Sequence, residues 1–561
     1  MQKLDFHPKS LTCLRGYNKT TFMSDLMAGV IVGIVALPLA IAFAIASGVS
    51  PEKGIITAVI AGFIVSALGG SKVQIGGPTG AFIVIVYGVI QQYGISGLTV
   101  ATIIAGVLLV LLGVFKLGTV IKFIPYPVVV GFTSGIAVTI FTTQMTDVFG
   151  LSFGGETVPG DFIGKWMLYF KHINTVNWWN FIVSVTSVII IAVTPKISKK
   201  IPGSLVAIIL VTIGVWCLKS FFGIDSIDTI GDRFSINSQL PKAEMPALNW
   251  EAIKDLFPVA VTIAALGAIE SLLSATVADG MISDHHNSNT ELIALGVANM
   301  VTPIFGGIPA TGAIARTMTN INNGGRTPVA GMIHAVVLLL ILLFLMPLAR
   351  FIPMACLAGV LVVVSYNMSG WRSFTALLKN PKSDVIVLLI TFFLTVIFDL
   401  TVAIAVGLLL ACLLFIKRIM ETTEITAIKE EIHVEDEAGI MHDESITIPA
   451  GVEVYEINGP YFFGVATQFE ELMSEFRDKS KVRVIRMRKV PFIDSTGIHN
   501  LSNFCEMSYK NKIMVVLSGV NPQVHGALEK AGFYDLVGEK NICPNINVAL
   551  SRAEEIMKGE Q

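Results

Sequence analysis

Two charged residues stand alone in long apolar stretches of the sequence. Glu270 is the only acidic residue in residues 257–278, and Arg316 is the only Lys or Arg in residues 255–325. An isolated charge within a membrane span is costly and indicates a functional site. A carboxyl group in such a stretch can gain and lose a proton, as proton-coupled uptake of an anion requires. The arginine would add fixed positive charge beside a bound anion.

Arg316 follows the second of two glycine- and proline-rich breaks in the apolar sequence. The breaks are residues 76–80 (Gly-Gly-Pro-Thr-Gly) and 306–312 (Gly-Gly-Ile-Pro-Ala-Thr-Gly), and their Gly-Gly pairs lie 230 residues apart. The same offset relates Asp25 to Asp255. A helix broken at membrane depth is tolerated where its freed backbone groups face protein or a polar cavity. Paired breaks in two halves of a chain indicate the binding site of a transporter.

Each break predicts a half-helix that begins within the membrane. Its free N–H groups and the positive end of its dipole can bind an anion without charged side chains. Small residues let an anion approach the backbone, two threonines can donate hydroxyl hydrogen bonds, and a phenylalanine can form a wall of the pocket. The predicted anion-binding residues are Thr79, Gly80, Ala81, Phe82, Thr311, Gly312, Ala313, Ile314, Ala315 and Arg316. Glu270 is the predicted proton-coupling residue.

Simpler interpretations of the same residues stay open at this point. Both breaks can be ordinary turns between helices, and Arg316 can extend to the cytoplasmic surface beside Arg326. Glu270 can pair permanently with Arg316, or with donors at a helix end, as a structural latch. Asp284 and the two histidines that follow it resemble a metal cluster, but their polar loop favours a solvated turn. No metal site, cofactor or catalytic residue is predicted, so the sequence does not indicate an enzyme.

The composition indicates a polytopic membrane protein. The 561 residues are 53% hydrophobic and 14% charged, and the mean hydropathy is +0.72. Soluble domains carry about a quarter charged residues. A net charge of −2 without a concentrated basic face argues against a nucleic acid partner. Six scattered cysteines support neither a disulfide framework nor a zinc site.

The apolar segments predict about fourteen membrane spans, arranged as an inverted repeat of seven plus seven. Lys and Arg are more frequent in the loops that are cytoplasmic if the N-terminus is inside. This bias predicts an even number of spans with both termini cytoplasmic, in the cell inner (plasma) membrane. The predicted organisation is a cytoplasmic N-terminal segment (1–24), a transmembrane domain (25–420), a charged linker (421–450) and a cytoplasmic domain (451–557).

The cytoplasmic domain is predicted to be a small α/β domain because strand and helix patterns alternate in it. The predicted elements are strands at 452–457, 482–487 and 512–517 and helices at 467–480 and 497–508.

These residues resemble the SulP family of anion transporters with a C-terminal STAS domain. The resemblance is carried by residues 36–40, 76–82, 131–135, 266–271, 289–292, 306–317 and 324–328, and by Asp494-Ser495-Thr496-Gly497 in the tail. It implies fourteen segments in a seven-plus-seven inverted repeat with core and gate domains. It also implies an anion held between the half-helices of spans three and ten, and a homodimer. Residues 266–273 and 314–316 are most similar to the bacterial dicarboxylate-transporting branch.

The resemblance also guides the choice of coupling ion. Sodium-coupled bicarbonate members of the family tend to carry Asp at the position of Glu270, and Thr near the position of Ile314. The chain departs from both, which favours protons over sodium. We therefore expect a secondary active transporter of sulfate or a related oxyanion, coupled to protons and working by alternating access. The alternatives are a C4-dicarboxylate or bicarbonate transporter of the same fold and, from another class, a passive anion channel or a membrane-anchored STAS signalling protein.

Ser495 is a possible regulatory residue. In anti-sigma-factor antagonists the serine at this position is phosphorylated, so the resemblance implies a phosphosite. The alternative is that the residue serves as a cap at the start of a helix. The expected partners of the chain are the anion, protons, membrane lipid and a second copy. A cytoplasmic protein partner of the STAS domain is also allowed.

Overall fold

The computed structural model describes residues 6–13, 16–119, 124–156, 158–197, 202–235, 242–246, 250–398, 400–428, 431–435, 441–465 and 480–559. The chain forms two compact units, Met1–Leu409 and Leu410–Gln561.

Helices account for most of the first unit. Those of the first half of the chain are α1 (Lys9–Cys13), α2 (Lys19–Ala46), α3 (Pro51–Leu68), α4 (Phe82–Val114), α5 (Tyr126–Phe149), α6 (Phe162–Lys171), α7 (Trp178–Ile197), α8 (Gly203–Phe222) and α9 (Ile230–Arg233). The second half contains α10 (Trp250–Ile282), α11 (Ser288–Val301), α12 (Ile314–Asn322), α13 (Pro328–Phe344), α14 (Met346–Ala349), α15 (Met354–Met368), α16 (Trp371–Leu377), α17 (Lys382–Ile397) and α18 (Leu400–Thr422).

The fourteen predicted spans correspond to helices of the first unit, although α11 and α12 have only 14 and 9 residues. Helix α4 counts as two of them, because Gly94 (φ 71°, ψ −174°) interrupts it with a conformation that glycine adopts easily. By length and composition, nine helices within the described ranges can cross a membrane, and α13 is a shorter apolar helix. The amphipathic helix α6 between the fifth and sixth spans was not expected from the sequence.

The helices form two bundles in which the sequence repeats are interleaved. In the first bundle α4 packs against α10 and α11, α2 packs against α13, and α3 packs against α11 and α13. In the second bundle α5 packs against α15 and α17, and α7 packs against α8 and α15. These bundles correspond to the expected core and gate domains. Between the two bundles, α2 of the core contacts α15 of the gate, and α4 of the core contacts α5 of the gate.

A buried carboxylate ties the two repeats together at one end of the core. Helix α2 begins after Asn18, whose side chain accepts a hydrogen bond from the Thr21 N–H. Asp25 lies one turn further on and is fully buried. Its carboxylate accepts from the Arg326 N–H at 2.9 Å and from the Thr327 hydroxyl at 2.5 Å. Because Thr327 is the N-cap of α13, Asp25 holds the start of the eleventh span against the first.

The two breaks form a small sheet between the helices of the core. Strand β1 is Gly76–Gly77, strand β2 is Thr311–Gly312, and the two are antiparallel. The N–H of Ala313 also donates to the carbonyl oxygen of Ile75 at 2.9 Å. The sheet satisfies backbone groups that the broken helices leave free. The breaks are therefore not independent turns between helices.

The second unit has a mixed sheet in the order β3-β6-β7-β8-β9, and a separate pair β4-β5. Strand β3 is antiparallel to β6, and the remaining neighbours are parallel. The strands are β3 (Glu424–Ile428), β4 (Glu431–Glu435), β5 (Met441–Thr447), β6 (Val452–Asn458), β7 (Val482–Lys489), β8 (Met514–Ser518) and β9 (Ile542–Cys543). The helices are α19 (Ser495–Lys510), α20 (Pro522–Lys530), α21 (Phe533–Val537) and α22 (Ile546–Lys558).

The structure confirms the predicted α/β domain and corrects the linker. The three predicted strands are β6, β7 and β8, and the predicted helix 497–508 is α19. The predicted helix 467–480 lies almost entirely outside the described residues. Residues 421–450 are not a plain linker, because they contain β3, β4 and β5. Strand β3 belongs to the domain because its Ile425 side chain is buried in the domain core.

Two glycines allow α4 and α11 to pack closely. A Cβ atom on Gly106 would lie 2.7 Å from the carbonyl oxygen of Gly296, and a Cβ atom on Gly296 would lie 2.6 Å from that of Gly106. Small residues at such contacts let membrane helices approach each other, where packing is a main source of stability.

We expect Gly106→Ala to lower the free energy of unfolding by about 1–3 kcal/mol, since the added methyl group forces the helices apart. Gly214→Ala in α8 is the matched control, because no atom lies within 4 Å of its added Cβ. This control should raise the free energy of unfolding by at most about 1 kcal/mol, because Ala has a higher helix propensity than Gly. Thermal unfolding of the purified proteins measures both changes. Equal melting temperatures for the two variants would contradict the close packing.

Candidate anion-binding site

The strand pair defines how the two repeats correspond. Gly76 pairs with Gly312, and Gly77 pairs with Thr311. A two-fold axis exchanges the partners, so Gly76 corresponds to Thr311 and Gly77 to Gly312, an offset of 235 residues. The repeat offset of 230 residues, which the Gly-Gly pairs predicted, is therefore wrong at the breaks. The extra residues enter before α11, since α10 has 33 residues and its counterpart α2 has 28.

Both half-helices begin without a side-chain cap. The N-cap of α4 is Ala81 and that of α12 is Ala313, and neither position supplies a capping hydrogen bond. In α4 the Phe82 and Ile83 N–H groups donate to the carbonyl oxygens of Thr79 and Gly80 at 3.3 and 3.2 Å, so the turn before the helix satisfies part of its first turn. Both helices follow the same pair of antiparallel strands. Together they form a concentration of donors and positive dipole ends that suits an anion.

Arg316 extends from α12 toward the break of the other repeat. Its side chain is only 2% exposed, and its Nη2 atom donates to the carbonyl oxygen of Pro78 at 3.1 Å. Its Nη1 atom has no hydrogen-bond partner among the described residues. The alternative in which this side chain extends to the cytoplasmic surface is therefore wrong. A buried charge with an unpartnered donor is costly, and a nearby anion would offset that cost.

Gly77 leaves the space that Arg316 occupies. A Cβ atom at position 77 would lie 2.1 Å from Nη1 of Arg316, closer than any real contact. The backbone of Gly77 has a φ of +153°, which also disfavours a side chain. The first glycine-proline break is thus shaped by an arginine from the second half of the chain.

Glu270 contacts the first break through a hydroxyl group. Its Oε2 atom accepts a hydrogen bond from Oγ1 of Thr79 at 2.8 Å. The carboxylate is half-buried, and within the described ranges it forms no ion pair with Arg316. The structure therefore does not show the permanent Glu270–Arg316 ion pair that was one alternative for this acid. The acid lies next to the start of α4.

The two threonine hydroxyls are both used inside the protein. Thr79 donates to Glu270, and Thr311 donates to the carbonyl oxygen of Gly267 at 2.8 Å. Each hydroxyl has one proton to donate, so in this conformation neither is free to donate to an anion. The donors left for the anion are backbone N–H groups and the Arg316 guanidinium.

Phe82 is buried in this structure. Its ring is 1% exposed, and its Cζ atom lies 3.6 Å from the Cβ position of Gly267. The expectation that Phe82 lines the pocket stays a prediction. The side chains around Gly80 are Phe43, Ile140 and Met368, each within 3.5 Å of its Cβ position.

These neighbours place the candidate site between the core and the gate. Phe43 belongs to α2 of the core, while Ile140 is on α5 and Met368 on α15 of the gate. Apolar residues on apolar helices give no signal in the sequence, so these three were not predicted. Of the predicted residues, Ala315 is exposed and Thr79, Ile314 and Glu270 are half-buried. The remaining ones, Gly80, Ala81, Phe82, Thr311, Gly312, Ala313 and Arg316, are buried.

A second buried acid supports the approach to the first break. Glu291 on α11 is fully buried and accepts hydrogen bonds from the Gly70 N–H at 2.7 Å and the Ser71 N–H at 3.0 Å. Nε2 of Gln74 donates to Glu291 at 2.8 Å and lies 2.7 Å from the Ser271 hydroxyl. An acid in the first turn of a helix is common, so its role in tying α11 to the first break was not predicted.

The histidines after Asp284 differ from the expected solvated turn. His285 is exposed. His286 has a nearly buried side chain, and its Nδ1 atom lies 2.7 Å from a carboxylate oxygen of Asp279. The solvated-turn interpretation is therefore wrong for His286. No group of three or more His, Cys, Asp or Glu side chains within the described ranges could hold a metal ion.

In the second unit, Ser495 is the first residue of α19 and is exposed. The helix is capped by Asp494, whose Oδ1 atom accepts from the Gly497 N–H at 2.7 Å. The other oxygen accepts from the Phe463 N–H at 3.2 Å. The capping role that was the alternative for Ser495 thus belongs to Asp494.

Known proteins with similar sequences are membrane transporters. The model of the sulfate permease family matches residues 22–391, and that of the STAS domain matches residues 445–549. YvdB of Bacillus subtilis, named as a candidate sulfate transporter, is 41% identical over 529 residues, covering 94% of this chain and 97% of the relative. The bicarbonate transporter BicA of Synechocystis is 30% identical over 541 residues, covering 94% of each.

Solved structures show the same architecture. The transmembrane domain of a cyanobacterial bicarbonate transporter, BicA, has a TM-score of 0.60 and 30% identity, covering 70% of this chain and 98% of the other. The structure of SLC26A9 has a TM-score of 0.86 and covers 98% of this chain and 93% of the other. At 18% identity the second likeness shows the fold alone.

We expect Gly77→Ala to lower the free energy of unfolding by about 1–3 kcal/mol, because its methyl group collides with the Arg316 guanidinium. Adding Arg316→Ala to this variant should remove most of that penalty, since the colliding group is then absent. A double-mutant cycle of melting temperatures measures the coupling. Gly88→Ala, whose Cβ meets no atom within 4 Å, is the control. Additive effects of the two substitutions would rule out the collision.

Proposed function

We propose that this chain, which belongs to the sulfate permease family, is a secondary active transporter that carries sulfate or a related small oxyanion together with protons. Like its relatives it is a multi-pass membrane transporter of anions and not an enzyme. The observation that supports the proposal most strongly is the pair of uncapped half-helix N-termini beside Arg316, whose Nη1 atom lacks a partner among the described residues.

The charge around the site suits a doubly charged anion when Glu270 is protonated. Each helix N-terminus acts as about half a positive charge, and Arg316 adds a full one. The sum is about two positive charges, which an ionised Glu270 would reduce to about one. A proton on Glu270 therefore strengthens the binding of a dianion, and by linkage the dianion strengthens the binding of the proton. This mutual effect is the basis for symport.

The surroundings of Gly80 favour a compact anion. Phe43, Ile140 and Met368 lie close to it and leave little room for a long molecule. A sulfate ion can accept from several N–H groups at once, which suits two facing helix ends. YvdB, at 41% identity, is named as a candidate sulfate transporter. Bicarbonate is the second candidate, because BicA is 30% identical over nearly the whole chain. A C4-dicarboxylate is disfavoured by the same crowding.

Alternating access would use the boundary between the two bundles. Gly80 belongs to the core, while Ile140 and Met368 belong to the gate. Movement of the core against the gate would uncover the site on one side of the membrane and then on the other. A passive channel is the rival, since a permanently open path needs no residue that exchanges protons. The position of Glu270 beside Thr79 favours coupling.

The same proposal covers location, assembly and regulation. The chain would lie in the inner (plasma) membrane with both termini on the cytoplasmic side, as the distribution of Lys and Arg predicts, and it would form a homodimer.

Ser495 is exposed at the start of α19, so its phosphorylation by a cytoplasmic kinase is sterically allowed. A phosphate there would bring negative charge to a helix N-terminus, where it is stabilised. Such a change would alter binding of a cytoplasmic partner by the STAS domain.

Glu270→Gln should abolish the response of uptake to a proton gradient while keeping an oxygen that accepts from Thr79. The measurement is uptake of labelled sulfate into proteoliposomes, with and without an acidic outer solution and without sodium. Wild-type uptake should rise with the gradient, and that of the variant should not. Glu52→Gln, at the start of α3, is the control and should keep the wild-type response. Gradient-driven uptake by Glu270→Gln would refute the role of this residue.

Replacing Arg316 should weaken the binding of sulfate in steps. Arg316→Met removes the charge and should raise the Kd by about tenfold or more, the cost of losing a charged hydrogen bond. Arg316→Lys keeps the charge, so its Kd for sulfate should lie between those of Arg316→Met and the wild type. Equilibrium binding of labelled sulfate to purified protein gives these values. Melting temperatures check that each variant is folded, and an unchanged Kd in a folded Arg316→Met variant would exclude a role in binding.

A further inference from the structure

A cavity of about 720 Å³ opens on the first unit. Its walls come from the N-terminal segment, the loop after α3, the end of α4 and the loop before α11. None of the predicted anion-binding residues lines it. By the distribution of Lys and Arg, these loops are on the cytoplasmic side.

The described lining of this cavity contains basic side chains and no carboxylate. Five side chains in it are lysines or histidines. The basic residues are His7, Lys9, Lys72, His285 and His286. They belong to three separate segments of the chain, so the fold brings them together. A concave surface of this charge attracts anions.

One nearby carboxylate is shared between two of these cations. The Nζ atoms of Lys9 and Lys72 lie 3.7 and 3.1 Å from Oδ2 of Asp284. Burial acts to raise the pKa of Asp284, but the His285 N–H and the two lysines outweigh it and bring the pKa below its usual value. Asp284 thus stays ionised and balances one of the two lysine charges, and no other described carboxylate forms an ion pair with Lys9 or Lys72.

Hydrogen-bond donors from a helix start complete the lining. Helix α11 begins at Ser288, and its cap Asn287 accepts from the Thr290 N–H at 3.0 Å. Ser288 and Asn289 line the cavity, so the first turn of this 14-residue helix faces it. His286 is held in place between Asp279, at 2.7 Å, and the Ser288 hydroxyl, at 3.0 Å.

We propose that this cavity binds a phosphate-bearing anion from the cytoplasm. Lysine ammonium groups and a helix N-terminus are the donors that proteins use for phosphate groups. The volume lies in the range of small-molecule sites of about 300–1,000 Å³ and exceeds the needs of a lone inorganic ion. The ligand is thus a larger molecule with a phosphate group, either soluble or the headgroup of a lipid.

The position of the cavity indicates what the ligand does. Backbone hydrogen bonds already join its walls: the Lys9 N–H donates to Gly69, and the Asn287 N–H donates to Gly70. Lys72 and these glycines precede the first break in the chain. A bound phosphate would bridge these segments and stabilise the core near the candidate transport site. The ligand is therefore a regulator that the protein does not transport.

The first test uses inorganic pyrophosphate as the probe and the purified full chain in detergent. Pyrophosphate should raise the melting temperature of the wild type, and the double variant Lys72→Gln, His285→Gln should bind it about tenfold more weakly. Lys116→Gln, an exposed lysine outside the cavity, is the charge-matched control and should bind like the wild type. Arg316→Met tells the two sites apart, because its pyrophosphate affinity should be unchanged. Loss of binding in Arg316→Met with retention in the double variant would overturn the proposal, as would absence of binding to a folded wild type.

The second test identifies the source of the phosphate. The full chain is placed in nanodiscs of phosphatidylcholine, with or without phosphatidic acid. If the ligand is a lipid headgroup, phosphatidic acid should weaken pyrophosphate binding to the wild type by competition. If it is a soluble molecule, the two kinds of nanodisc should give the same affinity. An identical effect of phosphatidic acid on the wild type and the double variant would show that the lipid acts elsewhere and would contradict the headgroup source.

Discussion

The structure depends on how the backbone groups freed by two broken helices are satisfied. Gly76–Gly77 and Thr311–Gly312 satisfy part of them by pairing as strands. Neither α4 nor α12 has a side-chain cap, and in α4 only backbone carbonyls of the break, those of Thr79 and Gly80, accept from the Phe82 and Ile83 N–H groups. This combination requires the repeats to interleave, with α4 packed on α10 and α11. It also creates a place where an anion is the missing hydrogen-bond acceptor.

The two repeats contribute unequally to that place. By the strand register Thr79 corresponds to Ile314, so a hydroxyl faces the site from one half and an apolar side chain from the other. The second half supplies both charged groups, Arg316 and Glu270. Arg316 extends across to Pro78 and Glu270 accepts from Thr79, so each charge of one repeat is joined to the break of the other. Under the proposed function, binding is shared by the halves while coupling belongs to the second.

The sequence predicted the features that are costly in a membrane and missed those that depend on packing. The spans, the breaks and the isolated charges follow from the energetics of burial, and all were found. The repeat offset was wrong because α10 is five residues longer than α2, and apolar sequence gives no sign of such a difference. Strand β3 was missed because only one of its residues, Ile425, is buried in the domain core, too few to stand out from a charged segment.

The central claim is that both half-helices hold the anion beside Arg316. An experimental structure of the purified chain with selenate, which replaces sulfate and scatters anomalously, tests it most directly. The account predicts an anomalous peak within hydrogen-bond distance of backbone N–H groups in the first turns of both α4 and α12. A peak confined to one helix, or found only in the cavity lined by Lys9 and Lys72, would contradict the account.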